Sequence, residues 1–349
     1  MSQQESLVKS IKTEALSLGF SSIGISAAHP VPHTQAYLDW VHNGCYASMD
    51  YLNREDTLTK RHDPNLILEN CQSIISLAVP YQRPQTDLSD SFDGKGRIAA
   101  YAMTHDYHDV LWDKLSQFED FLRDLLGSGA KFKSYVDTGP ILERSYASQA
   151  GIGVAGKNTC LLIQGVGSYF FLAEILTDVL LPMDEPYTRD LCGTCRRCID
   201  ACPTGCILPN RQIDAGRCIS YLTIENKGNI PDDLKPQIGN WFFGCDVCQI
   251  VCPHNAWTPD QFLPIGDPIL PEWIDLADLF SLSEQEFNQR FKPTALSRAK
   301  RRGLLRNAAI VLGNQKISHA KPVLIQALKK ETDPIIIDAC QYALTEIAK

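Results

Sequence analysis

The stretch Leu191–Pro203 reads LCGTCRRCIDACP, and a shorter echo, GCDVCQIVCP, occupies Gly244–Pro253. The first holds four cysteines spaced C-x2-C-x2-C-x3-C ahead of a proline, and the second holds three. Thiolate sulfur is a soft ligand, suited to iron–sulfur clusters, zinc or copper(I). A structural zinc site uses cysteine pairs split by a spacer. A triplet at two-residue spacing with a fourth thiol before proline points elsewhere. It wraps three sulfurs round one four-iron cube and turns the next sulfur away. The surrounding segment, 186–257, has many turn residues and little apolar periodicity. A segment that builds little hydrophobic core needs a staple, and metal supplies one.

Two cubes need eight thiolates, with the cysteine before each proline crossing to the other cube. The first set is then Cys192, Cys195, Cys198 and Cys252. The second takes Cys202, Cys245, Cys248 and one more. Cys206 and Cys218 are the nearby candidates; Cys218, midway between the runs, is the expected ligand, and Cys206 a small buried thiol. Cys45, Cys71, Cys160 and Cys340 are scattered and read as core. Two adjacent clusters make an electron relay. A ferredoxin would not carry the long segments that precede and follow them, so a reductase is expected, its clusters feeding a redox centre in the N-terminal part.

The chain has 349 residues, 44% hydrophobic and 21% charged, the balance of a globular protein of two or three domains. It has no apolar run long enough for a membrane span, and the polar start MSQQESLVKSIKTEAL is not a signal peptide. A reducing cytoplasm is expected, where clustered cysteines bind metal more often than they pair. Net charge is −8, yet Lys292–Lys330 holds ten Lys or Arg and no Asp or Glu. That asymmetry predicts one basic face on an acidic protein, although a solvated helix face is the plainer reading of a charge run.

The fold class read from the pattern is α+β. Residues 5–18 suit a helix, SSIGIS a short strand, and Ile74–Val79 a buried strand. Residues 82–96 read as a loop, Tyr107–Leu126 as a helix and KFKSYVD as a strand. CLLIQ and SYFFLAEILT read as strands paired with each other. Beyond about 275 three amphipathic helices follow, with RNAAIVLGN and IDACQYALTE about 31 residues apart, a HEAT-like spacing. The expected domains are 1–185, 186–257 and 275–349.

VDTGPILERSYASQAGIGVAGKNTCLL is the most unusual part of the first domain. Asp137 closes a strand before a Thr-Gly-Pro turn. It is a candidate proton donor if a dry site keeps it neutral, or merely an Asx-turn carboxylate. Glu143 and Arg144 form an ion pair or position an anion. GIGVAGKN offers backbone N–H groups and a lysine but is neither a P-loop nor a Rossmann fingerprint.

DTGP with ER following, AGIGVAGKNT, the cysteine runs, RCISYLTIE and RNAAIVLGN occur here in the order found in the epoxyqueuosine reductase family, which the chain resembles over nearly its whole length. The resemblance implies a nitroreductase-like cobalamin-binding domain, a ferredoxin-like domain with two [4Fe–4S] clusters, and a HEAT-like helical domain that binds tRNA. It implies reduction of epoxyqueuosine to queuosine at the tRNA wobble position, the last step of queuosine formation. Electrons from an external low-potential donor would pass through the clusters to cycle cob(II)alamin and cob(I)alamin. Asp137 becomes the expected proton donor. Arg61, Gly156, Lys157, Asn158, Ser220, Tyr221 and Asp246 become expected cofactor contacts. No cysteine ligand to cobalt is expected, since RIAAYAMTHDYH has none. Because Cys218 adjoins Ser220 and Tyr221, the second cluster should lie nearer the cobalt. Arg144, Lys292, Arg298, Lys300, Arg301, Arg302 and Arg306 are expected to meet the phosphates of the anticodon stem-loop, with the wobble base turned out into the cavity. A monomer is expected. The alternatives are a corrinoid iron–sulfur reductase of the dehalogenase kind acting on a small molecule, flavin in place of cobalamin, and a plain electron-transfer module.

Overall fold

The computed structural model describes residues 3–256 and 265–349. The first two residues of the expected catalytic domain, and Trp257 at the expected end of the iron–sulfur domain, lie outside them.

A four-stranded antiparallel sheet forms the frame of the N-terminal part. Its spatial order is Ser22–Ala27, Ser73–Pro80, Phe170–Thr177, Phe132–Tyr135. The two inner strands, SIISLAVP and FFLAEILT, are near-continuous apolar runs because both faces are covered. This corrects the expected pairing of CLLIQ with SYFFLAEILT. Among the described residues no ladder joins those two stretches: Ile163 bridges Gly167, just before the second, and Leu161–Leu162 pairs with Val154–Ala155. The longer run is claimed along its length by Ser73–Pro80 and, at its far end, by Phe132–Tyr135.

The Tyr107–Leu126 helix packs its Leu111, Leu115, Phe118 and Leu122 stripe into the core, and Asp106 caps it by accepting from the His108 N–H. The Glu143–Gln149 helix lies against the Ser22–Ala27 strand at Gly24, where an added Cβ would come within 1.9 Å of the Ala150 carbonyl. That close approach fixes where the residues after Asp137 sit.

A second sheet joins distant sequence. Lys95–Ile98 pairs in parallel with Trp241–Phe243 and antiparallel with Trp273–Asp275. The stretch read as a loop to residue 96 therefore turns into a strand at Lys95. Arg97 is buried there in an ion pair with Glu272 at 2.7 Å.

The C-terminal helices are Lys300–Asn314, Lys321–Lys330 and Pro334–Ala348. The first is not amphipathic in place: Gly303 through Gly313 are all buried. It lies between the Trp241–Phe243 strand and the last helix, and Gly313 touches Ala343. One hydrophobic core runs through all three parts of the chain, from Ile11 through Phe242 to Ile347.

Candidate active site

Asp137 follows the Phe132–Tyr135 strand in a left-handed conformation, φ +57°. Such a backbone is uncommon for a residue with a side chain and costs about 1–3 kcal/mol, so the surrounding structure must impose it. Its carboxylate accepts a hydrogen bond from the Tyr107 hydroxyl at 3.0 Å and stands 3.7 Å from His108 Nε2. The other imidazole nitrogen, Nδ1, is 2.7 Å from Asp106 Oδ1. Tyr107 stacks between His108 and Phe171, with both ring centroids 4.2 Å away.

These contacts invert the expected protonation. Asp106 first, then Asp137, raise His108 to about 9. Burial would raise Asp137, but His108, Tyr107 and the Arg144 charge outweigh it and hold the carboxyl below its ordinary value. Its side chain is 62% exposed to solvent even though protein crowds it. The expectation of a dry site is thus corrected: the Asp137 side chain is 62% exposed, and its neighbours favour its carboxylate form while Asp106 and Asp137 favour a protonated His108. His108 and Tyr107 were missed in the sequence. Their signal was the acid–x–His spacing of DYH at a helix start.

The other expected cofactor residues divide. Arg61 lies over the Tyr37 ring at 4.8 Å, its Nε lacks a partner, and its charge reaches Glu143. Tyr221 ties the cysteine-bearing segment to Ser48, hydroxyl to hydroxyl at 2.6 Å. Ser220 precedes it on the same short helix, Ile219–Ile224. Asp246 is buried, accepts the Ala100 N–H at 2.7 Å, and is pushed up by burial to about 7. Lys157 differs from expectation. Its ammonium donates to the carbonyls of Gly193 at 2.7 Å and Cys195 at 2.8 Å, and its N–H points at Cys192 Sγ. Asn158 donates to the Cys248 carbonyl at 3.3 Å. The Gly156–Lys157–Asn158 loop therefore clamps both cysteine runs, because a lysine beside carbonyl-rich loops satisfies acceptors that the wrapped backbone cannot.

Cys192, Cys195, Cys198 and Cys252 line one cavity, so the structure brings the second run's last cysteine to the first run's triplet. Around the other set, Cys202 Sγ is 3.5 Å from Cys206 Sγ, and Cys206 also contacts Cys218. Cys248 contacts Cys160. Two thiols read as core, Cys206 and Cys160, thus stand among the expected ligands. No three His, Cys, Asp or Glu side chains among the described residues converge as a single-ion site requires; a cube holds its thiolates round its own volume.

The basic face is smaller than the composition predicts. Arg306 is 1% exposed and donates to the carbonyls of Leu222, Asn226 and Gly228 and to Asn307 Oδ1. It is a buried strut and meets no phosphate. Arg301 and Arg302 pair with Glu331 and Asp333, acids lying just past the acid-free window. Arg298 pairs with Glu225 at 2.7 Å yet remains 54% exposed. Lys292 and Lys300 are exposed, and Arg144 is exposed while donating to the Thr159 carbonyl at 3.0 Å. Lys227, which the sequence did not flag, lies among the charges of Arg298, Lys300 and Arg306. Arg298 and Tyr51 are both within electrostatic reach of Asp137, so this basic edge lies on the Asp137 side of the molecule.

Comparison with known proteins bears directly on this arrangement. A family model described as "Epoxyqueuosine reductase QueG, DUF1730" matches residues 61–138, and one described as "4Fe-4S double cluster binding domain" matches 191–255. The epoxyqueuosine reductase of Cyclobacterium marinum is 40% identical over 316 residues, 89% of this chain and 98% of that protein. This chain belongs to the epoxyqueuosine reductase family. The enzyme of that name from Cellulophaga algicola is 38% identical over 300 residues, covering 85% of this chain and 95% of its own. A crystal structure of an epoxyqueuosine reductase with a tRNA-Tyr epoxyqueuosine-modified stem loop superposes with a TM-score of 0.90. It is 33% identical and covers 99% of this chain and 92% of that one. The epoxyqueuosine reductase frame thus carries a double [4Fe–4S] domain whose cysteine loops are clamped by Lys157 and Asn158. Among the described residues no helix is long and apolar enough to cross a membrane.

Proposed function

We propose that this protein reduces epoxyqueuosine in tRNA to queuosine, taking electrons through two [4Fe–4S] clusters. The observation that carries the reading is the Asp106–His108–Asp137–Tyr107 group, which favours a protonated His108 beside the partly exposed Asp137, within electrostatic reach of Arg298 and Tyr51. Opening an epoxide to an alkene takes up two electrons and two protons and releases water. His108 holds a proton at neutral pH, and Asp137, hydrogen-bonded by Tyr107 and facing His108, passes it to the departing oxygen.

Cys192, Cys195, Cys198 and Cys252 would hold one cluster, and Cys202, Cys218, Cys245 and Cys248 the other. The residues fit cobalamin: Arg61 Nε and the Tyr169 hydroxyl are buried without a protein partner, and a corrin rimmed with amides would offer them acceptors. Arg61, Tyr221 and the Gly156–Asn158 backbone would hold it, and bound there it supplies a strongly reducing cobalt centre. Ser220 and Asp246 back the same wall. The chain is read as a nitroreductase-like catalytic part, 1–185, a ferredoxin-like part, 186–257, and a HEAT-like helical part, 275–349. It works as a monomer with a low-potential donor, in a cytoplasm whose reducing state suits its thirteen cysteines.

Lys292, Arg298, Lys300, Arg302 and Arg144, with Lys227, would meet anticodon phosphates, and the wobble base would turn toward Asp137. A small organohalide has no use for that edge. Anaerobic protein supplied with cobalamin and a strong reductant should convert modified tRNA and leave a bromophenol untouched. Debromination without tRNA conversion would contradict the reading.

A further inference from the structure

The two cysteine runs sit at different depths. Around Cys192, Cys195 and Cys198, the residues Gly193, Thr194, Arg196 and Arg197 are exposed. Around Cys245 and Cys248, the residues Phe243, Gly244, Asp246, Val247 and Gln249 are buried. The first set of thiols therefore meets the surface while the second run lies inside. The cavity lined by Cys192, Cys195, Cys198 and Cys252 is also lined by Lys157 and Arg197. Sharing Lys157 with it is a groove of about 550 Å³, lined by the apolar Ile199, Ile207, Leu208 and Pro209 together with Arg196 and Arg211.

This face is basic on a chain whose net charge is −8. Lys157, Arg196, Arg197 and Arg211 line the two hollows, and Arg189 adjoins them; the adjoining acids are Asp190 and Asp200. Both acids are engaged. Asp190 pairs with Arg211 at 2.7 Å and accepts the Cys192 N–H at 2.9 Å, and Asp200 pairs with Arg196 at 3.3 Å. The Lys157 ammonium is engaged by the carbonyls of Gly193 and Cys195. Arg189 and Arg197 are exposed and make no ion pair among the described residues.

We propose that this face docks an acidic one-electron carrier protein, which delivers electrons at the Cys192–Cys195–Cys198–Cys252 site. This rests on the reductive reading above. In each encounter one electron leaves the carrier, which is oxidised, and is taken up at that site, which is reduced; no covalent bond forms or breaks. Electron tunnelling weakens steeply with distance, so a carrier must dock where the relay meets the surface. The lining favours protein over RNA. An apolar patch set among arginines matches a protein interface, whereas a phosphate backbone calls for cations and gains nothing from Ile199, Ile207 and Leu208. Redox encounters bury less than about 1,200 Å² and are steered by charge, so a compact basic patch with two free arginines suffices.

The test uses the full-length, cluster-loaded protein without tRNA or cobalamin, with reduced flavodoxin, an acidic carrier, as the probe. Stopped-flow absorbance follows arrival of electrons at the clusters. The second-order rate constant should fall about tenfold from low to high salt. Arg189→Glu combined with Arg197→Glu should lower it about tenfold at low salt and flatten its salt dependence. Arg189→Glu alone should give part of that loss, and it decides the matter if the double variant loses iron. Iron content, the extent of reduction by dithionite and tRNA affinity should match the parent. A rate constant indifferent to salt and to both substitutions would overturn the proposal. So would a carrier that leaves dithionite-reducible clusters oxidised. Variants that lose tRNA affinity yet accept electrons at the parent rate would assign the face to RNA instead. If the carrier reduces the clusters as expected but the parent protein supplied with cobalamin converts no tRNA, the reductive reading fails and the docking face stands.

Discussion

The electrostatics of His108 lead to a measurable sign. The folded protein raises its pKa from the ordinary 6.5 to about 9. The stabilisation is fully present below about 6.5 and is lost as pH rises through about 9. Asp137 has the opposite sense: its contribution exists above the ordinary carboxylate value and disappears as pH falls through its lowered folded value. Histidine NMR should place the His108 transition near 9. Asp106→Asn should lower it more than Asp137→Asn, because Asp106 makes the 2.7 Å contact and Asp137 stands at 3.7 Å. A transition near 6.5 in the wild type would contradict the assignment. Cysteines allow a second test. Cys218→Ala should leave about four of roughly eight irons, whereas Cys206→Ala should keep nearly all. The reverse pattern would exchange their roles. Asp137 was legible in DTGP through the family resemblance, but its charge was not, because His108 lies 29 positions away in the chain.

At the scale of elements, the Lys300–Asn314 helix does more than its basic start suggested. Arg306 and Asn307 together take the carbonyls of Leu222, Thr223, Asn226, Gly228 and Phe242. The helix thereby holds the segment that follows Cys218 and the strand that precedes Cys245. Each buried carbonyl left without a donor costs about 1–3 kcal/mol. Arg306→Leu should therefore lower the melting temperature by several degrees and reduce iron retention, read by thermal melting and iron assay. Unchanged iron with a lowered melting temperature would confine Arg306 to stability. Helices with a clear apolar stripe, such as Tyr107–Leu126, were legible from sequence. Helix Lys300–Asn314 misled because a basic residue at a helix start looks solvated until its tertiary acceptors are known. The mistaken pairing of the Phe170–Thr177 strand has a similar cause: proximity in sequence suggested a hairpin, while burial on both faces required a central place in the sheet.

Across the whole molecule, one fold carries a double-cluster cysteine domain, the Asp137–His108 group and a basic edge within electrostatic reach of Asp137. The net charge of −8 hides that edge, and the pairing of Arg301 and Arg302 with Glu331 and Asp333 shrinks it. Charge reversal at Lys300 and Arg298 should weaken tRNA binding about tenfold or more. It should also lower the salt slope by about 0.7–0.9 for each phosphate that is no longer neutralised. Filter binding across a salt series would measure both, and unchanged affinity would move the RNA to another face. The iron–sulfur region was legible because ligand spacing is a local code. The edge was not, because ion pairs with acids outside the window are made only by folding. The central claim is that the protein removes the epoxide oxygen from the tRNA wobble nucleoside. Mass spectrometry of nucleosides from modified tRNA incubated anaerobically with the cluster-loaded, cobalamin-supplied protein tests it most directly. The account predicts loss of one oxygen from the wild-type reaction and none with Asp137→Asn at full cluster content. Epoxyqueuosine recovered intact from the wild-type reaction, with clusters and cobalamin bound and reduced, would contradict it.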